Sequence, residues 1–569
     1  MRVIVIAVSV VLGVITSVIG ADSGATKSLR ALKMDGYDQD ALGTLEIQIN
    51  VGKKYLIENE KNPAPVVSPD DKKNGYFLFV RNYLFDVHPY TNPKAEEISK
   101  KEIKIFAAPG EYEPVVFSVY PLTELKACKI SVSEFINEKG EKLDKDSFQI
   151  NNVLNREFGS IKSSSAGDGE VQVRSEVLDR ASVIPLIDEG ICKTIWLNVK
   201  VPDAAKDGTY KGKVKFAPSG KPAKEIEVEI KVLAFKLQQP PDMNWAPIMA
   251  GSWDFGSGNL EKEFIQMKEH GMTGEVTDFL KPEGENYNDF TKANKYMELA
   301  KKAGLTGKFV LFNLHMQGGP TWDSTFGPFG LSGDNLFNKN TYNKAKDVIT
   351  KTRDNAVKNK WLPYMFYLTT ELGYLSVVSD SVYKKTMKCA EEYYAAAREV
   401  KDVRLMATFN RQDEMEMHWN LPALDEFGLN SAMFPAWQKA AKQKPSWMTF
   451  ILTEQRCGHG FYLWKYNIKG VRPWSRNGCM VYYNNDWHPN VRFERIREGV
   501  DDYKYVYTLT QYIKEAKAKG KDTASAETVI KKVMEKIPDN HDKEQPNYDY
   551  TRLDDFRWEI AAEINKLLK

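Results

Sequence analysis

Between residues 76 and 237, apolar and polar positions alternate in short runs. The clearest run is 225–232, in which every second side chain is apolar, and the run 194–201 follows the same pattern. Strict alternation is typical of a strand that buries one face in an antiparallel sheet. Because several such strands are joined by short turns, the pattern predicts an antiparallel β-sandwich over residues 75–238.

After Asp242 the pattern changes, and apolar strands alternate with longer helical stretches such as 343–359 and 382–400. This order is typical of parallel βα units and predicts a (β/α)8 TIM-like barrel over residues 239–490. An open doubly wound sheet is the alternative, but no glycine-rich phosphate motif favours it. The predicted strands are 245–249, 273–279, 308–313, 364–370, 403–409, 430–434, 448–452 and 470–474.

The remaining segments complete a multidomain chain of 569 residues, which is too long for one hydrophobic core. Residues 22–74 are polar and predict an N-terminal segment followed by a linker. Residues 491–569 predict helices that pack on the barrel, because Ile496, Val500 and Tyr503 recur on one helix face.

The first 21 residues resemble a targeting signal in their pattern. Arg2 precedes an apolar run over residues 3–19, and small residues follow at Gly20 and Ala21. This order predicts a secretory signal peptide cleaved near Ala21, and therefore an exported protein in the periplasm, at the cell surface or outside the cell. An uncleaved anchor is the alternative; no later apolar stretch is long enough to span a membrane.

Charge and composition narrow the class of partner. Lys and Arg total 79 and Asp and Glu total 77, so the net charge is only +2, and no long block carries one sign. This balance argues against nucleic acid as the main partner. Aromatic residues make up 12% of the chain, enough to supply flat platforms for sugar rings. The sequence does not indicate an oligomeric state.

The cysteines and histidines do not predict a cofactor. The five cysteines lack the spacing of a zinc or redox motif, and the seven histidines lack metal-binding spacing. In an exported protein Cys128 could pair with Cys192, or Cys457 with Cys479, but buried free thiols are the preferred interpretation. We therefore predict no metal and no other cofactor.

The best candidate for an acid is Glu371. It follows the apolar run 366–368 and two threonines at the end of the fourth predicted strand. Barrel enzymes place catalytic groups at the carboxyl ends of their strands, and the apolar neighbours, Tyr367 among them, would limit hydration of the carboxyl. The alternative is a strand that ends in a solvated polar turn.

Hydrolysis of a glycosidic bond usually needs a second carboxyl opposite the acid. Glu454 follows the predicted seventh strand and is the candidate for a nucleophile, although it could instead begin a helix, where its charge would favour the helix dipole. Trp322 lies in a long loop after the third strand, where it could stack on a sugar or fix the loop. Further polar and aromatic residues at strand ends form a predicted cleft, although each could be structural: Asp254, Asp278, His315, Asn410, Arg411, Trp437 and Trp474.

The segment RFERIREGVDDYKY at 492–505 resembles a recurrent signature of glycoside hydrolase family 123. Four further phrases are similar to the same family, so the resemblance covers most of residues 75–515: Arg456 with GFYLWKY at 460–466 and Gly470, APGEYEP at 108–114, WLNVKVP at 196–202, and GTYKG at 208–212. The resemblance implies a β-sandwich, a TIM-like barrel and β-N-acetylgalactosaminidase activity by a substrate-assisted mechanism.

The resemblance also implies a catalytic pair at the end of the fourth barrel strand. Family members have Asp-Glu there: the Glu is the acid/base, and the Asp orients the 2-acetamido group that attacks the anomeric carbon. The matching residues here are Thr370 and Glu371, so the acid is present and the Asp is replaced. A threonine hydroxyl cannot stabilise the positive intermediate as a carboxylate would.

The sequence therefore predicts a secreted glycosidase acting on glycans, with Glu371 as general acid/base and Thr370 in contact with the group at sugar C2. Three alternatives stay open: another carboxylate supplies the missing charge; the enzyme is a retaining glycosidase on a non-acetamido sugar with Glu454 as nucleophile; or the protein binds carbohydrate without cleaving it.

Overall fold

The computed structural model describes most of the chain in two compact units. One is the described part of Met1–Lys236 with Tyr482–Val491, and the other is that of Leu237–Val481 with Arg492–Lys569. The predicted signal peptide lies outside the described residues. The described residues are 54–57, 62–159, 170–249, 259–277, 279–311, 314, 316–319, 322–326, 331–332, 339–370, 372–373, 380–429, 440–449, 455–472, 479–483, 486–539 and 547–569.

The first unit contains two sheets whose facing side chains form one hydrophobic core. Almost all neighbouring strands are antiparallel, as the alternating pattern predicts; the exceptions are Lys54–Ile57 beside Glu170–Arg180 and Glu102–Ala107 beside Lys224–Val232. The strands of one sheet are, in spatial order, Lys54–Ile57, Glu170–Arg180, Phe148–Gly159, Lys193–Lys200, Tyr112–Pro121 and Tyr76–Phe79. Those of the other are Val183–Ile187, Leu125–Val132, Gly208–Ala217, Lys224–Val232 and Glu102–Ala107, with Phe135–Ile136 and Lys142–Leu143 attached.

The predicted linker before the strand Tyr76–Phe79 contains a short helix, Pro69–Asn74, and is not irregular throughout. The Ser68 side chain accepts a hydrogen bond from the backbone N–H of Asp71 at 3.1 Å, and Gly75 ends the helix with a φ of 80°. A serine cap followed by proline at the first helical position starts a helix. The unit also has the helix Ala95–Ser99, the 3-10 turn Lys145–Ser147 and the strand Asp486–Pro489.

The second unit contains a curled sheet of eight parallel strands. The first strand is split into Asn244–Trp245 and Ile248–Met249, and the two pieces pair with different neighbours: Trp245 with Val471 of the eighth strand, and Ile248 with Val276 of the second. Strands two to eight are Val276–Thr277, Phe309–Leu311, Tyr364–Thr370, Leu405–Phe409, Glu426–Leu429, Ser446–Met448 and Gly470–Val471. One apolar cluster fills the inside of the curl: Ala246, Ile248, Val276, Val310, Met365, Tyr367, Met406 and Trp447.

Helices connect these strands, as the alternating pattern predicts. A three-stranded antiparallel excursion, Met316–Gly319, Trp322–Phe326 and Leu331–Ser332, follows the third strand. The helices of the parallel sheet are Asn259–Glu269, Thr291–Lys302, Lys339–Lys358, Asp380–Arg398, Gln412–His418, Gln455–His459 and Phe461–Lys465; a further strand is Met480–Tyr483.

The predictions of strands six and seven were wrong in position. Strand six is Glu426–Leu429, earlier than the predicted 430–434, which lies outside the described residues. Strand seven is Ser446–Met448, which shares only Met448 with the predicted 448–452. Strand six begins with the charged residue Glu426, so the apolar pattern of the sequence does not mark its start. Its buried carboxylate is satisfied by Arg404 at 2.7 Å, by the Trp447 indole N–H at 2.5 Å and by Lys308.

Three C-terminal helices, Val491–Ala518, Ala524–Lys536 and Arg552–Leu568, complete the chain. Ile496, Val500 and Tyr503 are all buried, so the predicted apolar face is confirmed. The segment that resembles the family signature forms much of the first helix.

Buried charges in that signature are structural. Asp502 accepts hydrogen bonds from Arg456 at 2.7 and 3.0 Å and from Arg557 at 2.5 Å, and Arg557 also donates to Glu498 at 2.9 Å. Burial raises the pKa of Glu498 to about 7. Gly499 lies beside this network: a Cβ there would lie 2.3 Å from the carbonyl oxygen of Arg456, so the two helices approach closely at this point.

All five cysteines lie in the described part of the chain, are buried and are not bonded to one another. The preferred interpretation as free thiols is confirmed, and neither alternative pair forms. Of the helices that the structure describes, not one combines the length and apolar character needed to cross a membrane.

Candidate active site

The fourth parallel strand, Tyr364–Thr370, has the predicted bounds and ends immediately before Glu371 in the sequence. Its pairing with the fifth strand is irregular between Tyr367 and Thr369. Bulges re-aim side chains and are common beside active sites. Here Thr369 bonds to Tyr394 on the helix Asp380–Arg398, whereas Thr370 bonds to Tyr367, which belongs to the inner cluster. The two consecutive threonines therefore hold the end of the strand from both faces of the sheet: Thr369 bonds on the helix side, and Thr370 bonds on the inner side.

The hydroxyl of Thr370 is part of a buried network. The Tyr367 hydroxyl donates a 2.6 Å hydrogen bond to Thr370 Oγ1 and also bonds to Thr408 Oγ1, which lies 3.3 Å from Thr370 Oγ1. Thr370 is only 4% exposed. The side-chain oxygen of Thr370 is therefore engaged by protein hydroxyls.

Glu414 fixes the backbone just beyond Glu371. Its Oε2 accepts hydrogen bonds from the N–H groups of Gly373 and Asn410, each at 3.2 Å. The Glu414 side chain is buried on the helix Gln412–His418. A Cβ on Gly373 would lie 2.2 Å from Asn410 Oδ1, so the two segments approach too closely for a larger residue. Glu371 itself lies outside the described residues, but the strand before it and the turn after it are both held by named contacts.

Arg472 follows the eighth strand and contributes a buried cation to this region. Its backbone N–H donates to the Met448 carbonyl at 2.9 Å, and its guanidinium carbon lies 5.2 Å from the centre of the Tyr367 ring. The residue is 3% exposed. Cation–π contacts of this kind are favourable when desolvated. Arg472 thus touches the same ring whose hydroxyl contacts Thr370.

Two predicted binding residues follow the fifth strand and have different surroundings. Asn410 is half-buried. Arg411 is exposed and makes a two-pronged ion pair with Asp413 at 2.9 and 3.0 Å, above the ring of Tyr383 at 5.3 Å. The hydrogen bond from Arg411 lowers the pKa of Asp413. The Arg411 guanidinium is therefore held within its own turn.

The loop after the third strand forms part of the sheet beside Thr370. In its first strand, Met316 pairs with Thr369 and Gln317 pairs with Thr370, both in parallel register. Trp322 begins the next strand and pairs through its backbone with Gly319. The backbone of this excursion therefore lies next to the end of the fourth strand.

The remaining predicted site residues are not located. Trp322 is described through its backbone alone. Glu454 precedes the helix Gln455–His459 in the sequence, and the described part of the seventh strand ends at Met448, so the place of Glu454 at the end of that strand stays a prediction. The predicted residues outside the described ranges are Asp254, Asp278, His315, Glu371, Trp437, Glu454 and Trp474.

Three residues of this region were missed in the sequence. Thr408 lies two positions before Asn410, so strand alternation could have placed it on the same face. Arg472 falls within the predicted eighth strand, but its polarity was not given weight. The neighbouring sequence does not indicate the role of Glu414, because that role depends on contacts with two separate turns.

Comparison with known proteins agrees with the family resemblance. Residues 89–217 match the model of the glycoside hydrolase 123 N-terminal domain. No curated protein matches the sequence. A family 123 glycoside hydrolase from Clostridium perfringens, studied for glycolipid glycan hydrolysis, is 11% identical with a TM-score of 0.63, over 87% of this chain and 97% of that one.

Two other solved structures have TM-scores too low to carry an argument. A family 39 glycoside hydrolase from Bacteroides cellulosilyticus WH2 is 12% identical, with a TM-score of 0.33 over 64% of this chain and 81% of that one. The catalytic domain of β-amylase from Paenibacillus polymyxa is 12% identical, with a TM-score of 0.34 over 45% of this chain and 97% of that one.

The fold and the matched domain together support a glycoside hydrolase. More specifically, the chain is similar to glycoside hydrolase family 123: residues 89–217 match the family's N-terminal domain, and the fold resembles that of a family member.

Proposed function

We propose that this protein is an exported glycosidase in which Glu371 acts as general acid/base at the carboxyl end of a closed (β/α)8 barrel, with a β-sandwich before it. The pairing of the first strand supports closure of the barrel, because its two pieces pair with the second and eighth strands. The shared core of the two N-terminal sheets supports the sandwich. Export rests on the signal-like pattern of residues 1–21.

The observation that carries the proposal is the fixed backbone on either side of Glu371. Thr369 and Thr370 are held on opposite faces of the strand, and the N–H of Gly373 is held by buried Glu414. A catalytic group needs this kind of support, because small displacements from the productive geometry cost rate. A merely solvated turn does not require three independent contacts.

The network around Thr370 bears on the mechanism. The Thr370 hydroxyl accepts from Tyr367 and lies beside that of Thr408, so it has at most one acceptor position left for an acetamido N–H, and it supplies no negative charge. This favours a retaining mechanism on a sugar without an acetamido group, with a separate carboxylate as nucleophile and Glu454 as the candidate. Substrate assistance with the charge supplied by another carboxylate remains the second candidate mechanism.

The test is hydrolysis of a panel of aryl glycosides by the wild type and by Glu371→Gln. We expect the variant to lose roughly 10²–10⁴-fold in kcat on substrates whose leaving group needs protonation, since general acid catalysis contributes about that much. Equal activity of the two proteins would remove Glu371 from the mechanism. A wild type that binds glycans but cleaves none would support a carbohydrate-binding protein.

The role of Glu454 is tested separately. If it is the nucleophile, Glu454→Gly should be inactive and should regain activity with added azide, forming a glycosyl azide. An active Glu454→Gly protein would assign Glu454 to the start of the helix Gln455–His459 instead.

A further inference from the structure

Two of the contacts that hold the backbone on either side of Glu371 lead to one buried side chain, His418. The first contact is between Thr369 and the hydroxyl of Tyr394, and the His418 ring packs edge-on against the Tyr394 ring with their centres 5.6 Å apart. The second is made by Glu414, and His418 ends the helix that carries Glu414. The His418 ring is completely buried, so it packs between the two supports.

The helix Gln412–His418 depends on its buried side chains for its position. It has seven residues, and a helix of about two turns has little stability of its own in water. Its buried residues are Glu414, Met415 and His418, and Glu414 is the one that accepts hydrogen bonds from backbone N–H groups. Met415 and His418 therefore anchor the helix by packing, and His418 does so at its carboxyl end.

The surroundings of His418 favour a neutral ring. The Phe409 ring lies 6.2 Å away between ring centres. The titratable groups around His418 are Tyr394 and Glu391 on the preceding helix, with Glu391 Oε1 3.5 Å from Nε2, and Glu414 one turn earlier on its own helix. Burial outweighs these acids and lowers the pKa of His418 to about 4.

We propose that His418 is a positioning residue, whose neutral ring keeps Tyr394 and the helix of Glu414 in the places from which they hold the backbone around Glu371. The inference rests on the proposed glycosidase function and adds to it a residue that acts through others and does not touch the substrate. A charged ring is unfavourable in this apolar setting, so protonation should release both supports.

Hydrogen exchange tests the inference without relying on turnover. The measurement follows peptides that contain the N–H groups of Gly373 and Asn410, both bonded to Glu414. At pH 7 we expect His418→Ala to speed exchange in these peptides at least tenfold. His418→Phe keeps an aromatic ring and should stay within threefold of the wild type. Unchanged exchange in His418→Ala overturns the inference.

His270→Ala is the matched control. His270 is another buried imidazole of the second unit, where it stacks on Phe493 and bonds to Glu494 at 3.0 Å. It precedes the second parallel strand, at the amino end of the sheet, whereas the candidate site lies at the carboxyl ends. This variant should lose stability and keep exchange in the two peptides within threefold of the wild type. An equal increase in both Ala variants would mean general destabilisation and would overturn the inference.

The pH dependence distinguishes the need for a neutral ring from simple filling of space. In the wild type, exchange in both peptides relative to the intrinsic rate should rise as the pH falls through about 4, where the folded protein protonates His418. His418→Phe cannot take up this proton and should not show the rise. A rise of the same size in both proteins overturns the inference, and this comparison decides the question if His418→Ala does not fold.

Kinetics connect the held backbone to catalysis. On an aryl glycoside that the wild type cleaves, His418→Ala should lower kcat at least tenfold with KM within threefold, and His418→Phe should keep most of the wild-type kcat. Faster exchange without loss of kcat overturns the positioning role. If the wild type cleaves no glycoside, the glycosidase proposal fails by itself, and exchange alone decides whether His418 holds this backbone.

Discussion

The hydroxyl of Tyr367 donates a 2.6 Å hydrogen bond to the hydroxyl of Thr370, three residues further along the same strand. In a regular strand, residues three apart point to opposite faces. The contact therefore depends on the irregular pairing between Tyr367 and Thr369. This local shift brings the residue before Glu371 to the inner face of the sheet.

Replacing Tyr367 with Phe tests this contact. The ring below Arg472 is kept, but Thr370 and Thr408 lose a hydroxyl partner inside the protein. We expect the free energy of unfolding to fall by about 1–3 kcal/mol, since two buried hydrogen bonds are lost and each usually contributes about 0.5–1.5 kcal/mol net. We also expect kcat to fall several-fold with little change in KM, because the residue before the acid is less firmly held. Urea unfolding and steady-state kinetics measure both; unchanged kcat would show that the network is purely structural.

The sequence predicted the parts of this fold that depend on local pattern. The fourth strand was predicted with both ends correct, because an apolar run ends sharply at two threonines. The sixth strand was misplaced, since its first residue, Glu426, is a charge that only its spatial partners explain. Local pattern does not reveal which distant residues will neutralise a buried charge.

The candidate site shows the same limit. Tyr367, Thr370 and Asn410 could be selected because they lie on or after predicted strands. Their connections could not be predicted, because the hydroxyl network needs an irregular pairing that leaves no sequence signal. The role of Glu414 could not be predicted for a related reason. It bonds to backbone N–H groups, which almost every residue has, so its partners leave no pattern in the sequence.

Glu414 provides a second prediction. Glu414→Leu removes the acceptor shared by Gly373 and Asn410, leaving two N–H groups without it. Each unsatisfied buried donor costs about 1–3 kcal/mol. We expect a loss of stability in this range or above, and a drop in kcat of at least tenfold with KM within threefold.

Glu414→Gln is the matched control, because its amide oxygen can still accept both hydrogen bonds. It should recover most of the kcat lost in the Leu variant at similar KM. Equal kcat values for the Leu variant and the wild type would show that the turn after Glu371 does not need this support.

Gly373 provides a third prediction. In Gly373→Ala the new methyl group would lie 2.2 Å from Asn410 Oδ1 and 2.8 Å from the Cγ and Cδ atoms of Arg411. These side chains must move, and overpacking of this kind costs about 1–3 kcal/mol. We expect a matching loss of stability and a clear loss of kcat, since the displaced turn follows Glu371 directly.

A control variant distinguishes a general loss of stability from an effect on the turn after Glu371. Gly520→Ala introduces backbone strain, because φ is 70° there, but its Cβ would meet no atom within 4 Å. It should lose stability and keep full activity. A Gly373→Ala protein with full activity would show that the two turns can separate without consequence.

Buried His418 links stability to pH. Its side chain packs edge-on against Tyr394 and near Phe409, and burial lowers its pKa to about 4 from an ordinary 6.5, even though Glu391 Oε1 lies 3.5 Å away. The unfolded chain takes up a proton near pH 6.5, whereas the folded protein resists protonation until about pH 4. The unfolded state therefore binds more protons in this window, so stability falls as the pH is lowered through it.

His418→Phe keeps an aromatic ring between these neighbours and removes the titration. With about 1.4 kcal/mol per pKa unit, the wild type should lose roughly 3 kcal/mol more than the variant between pH 7 and pH 4. Urea unfolding of both proteins at intervals of half a pH unit measures the difference. Because all other titrating groups are shared, they largely cancel in the comparison. Parallel curves for the two proteins would mean that the His418 ring gains access to water or to Glu391 and is protonated in the folded state.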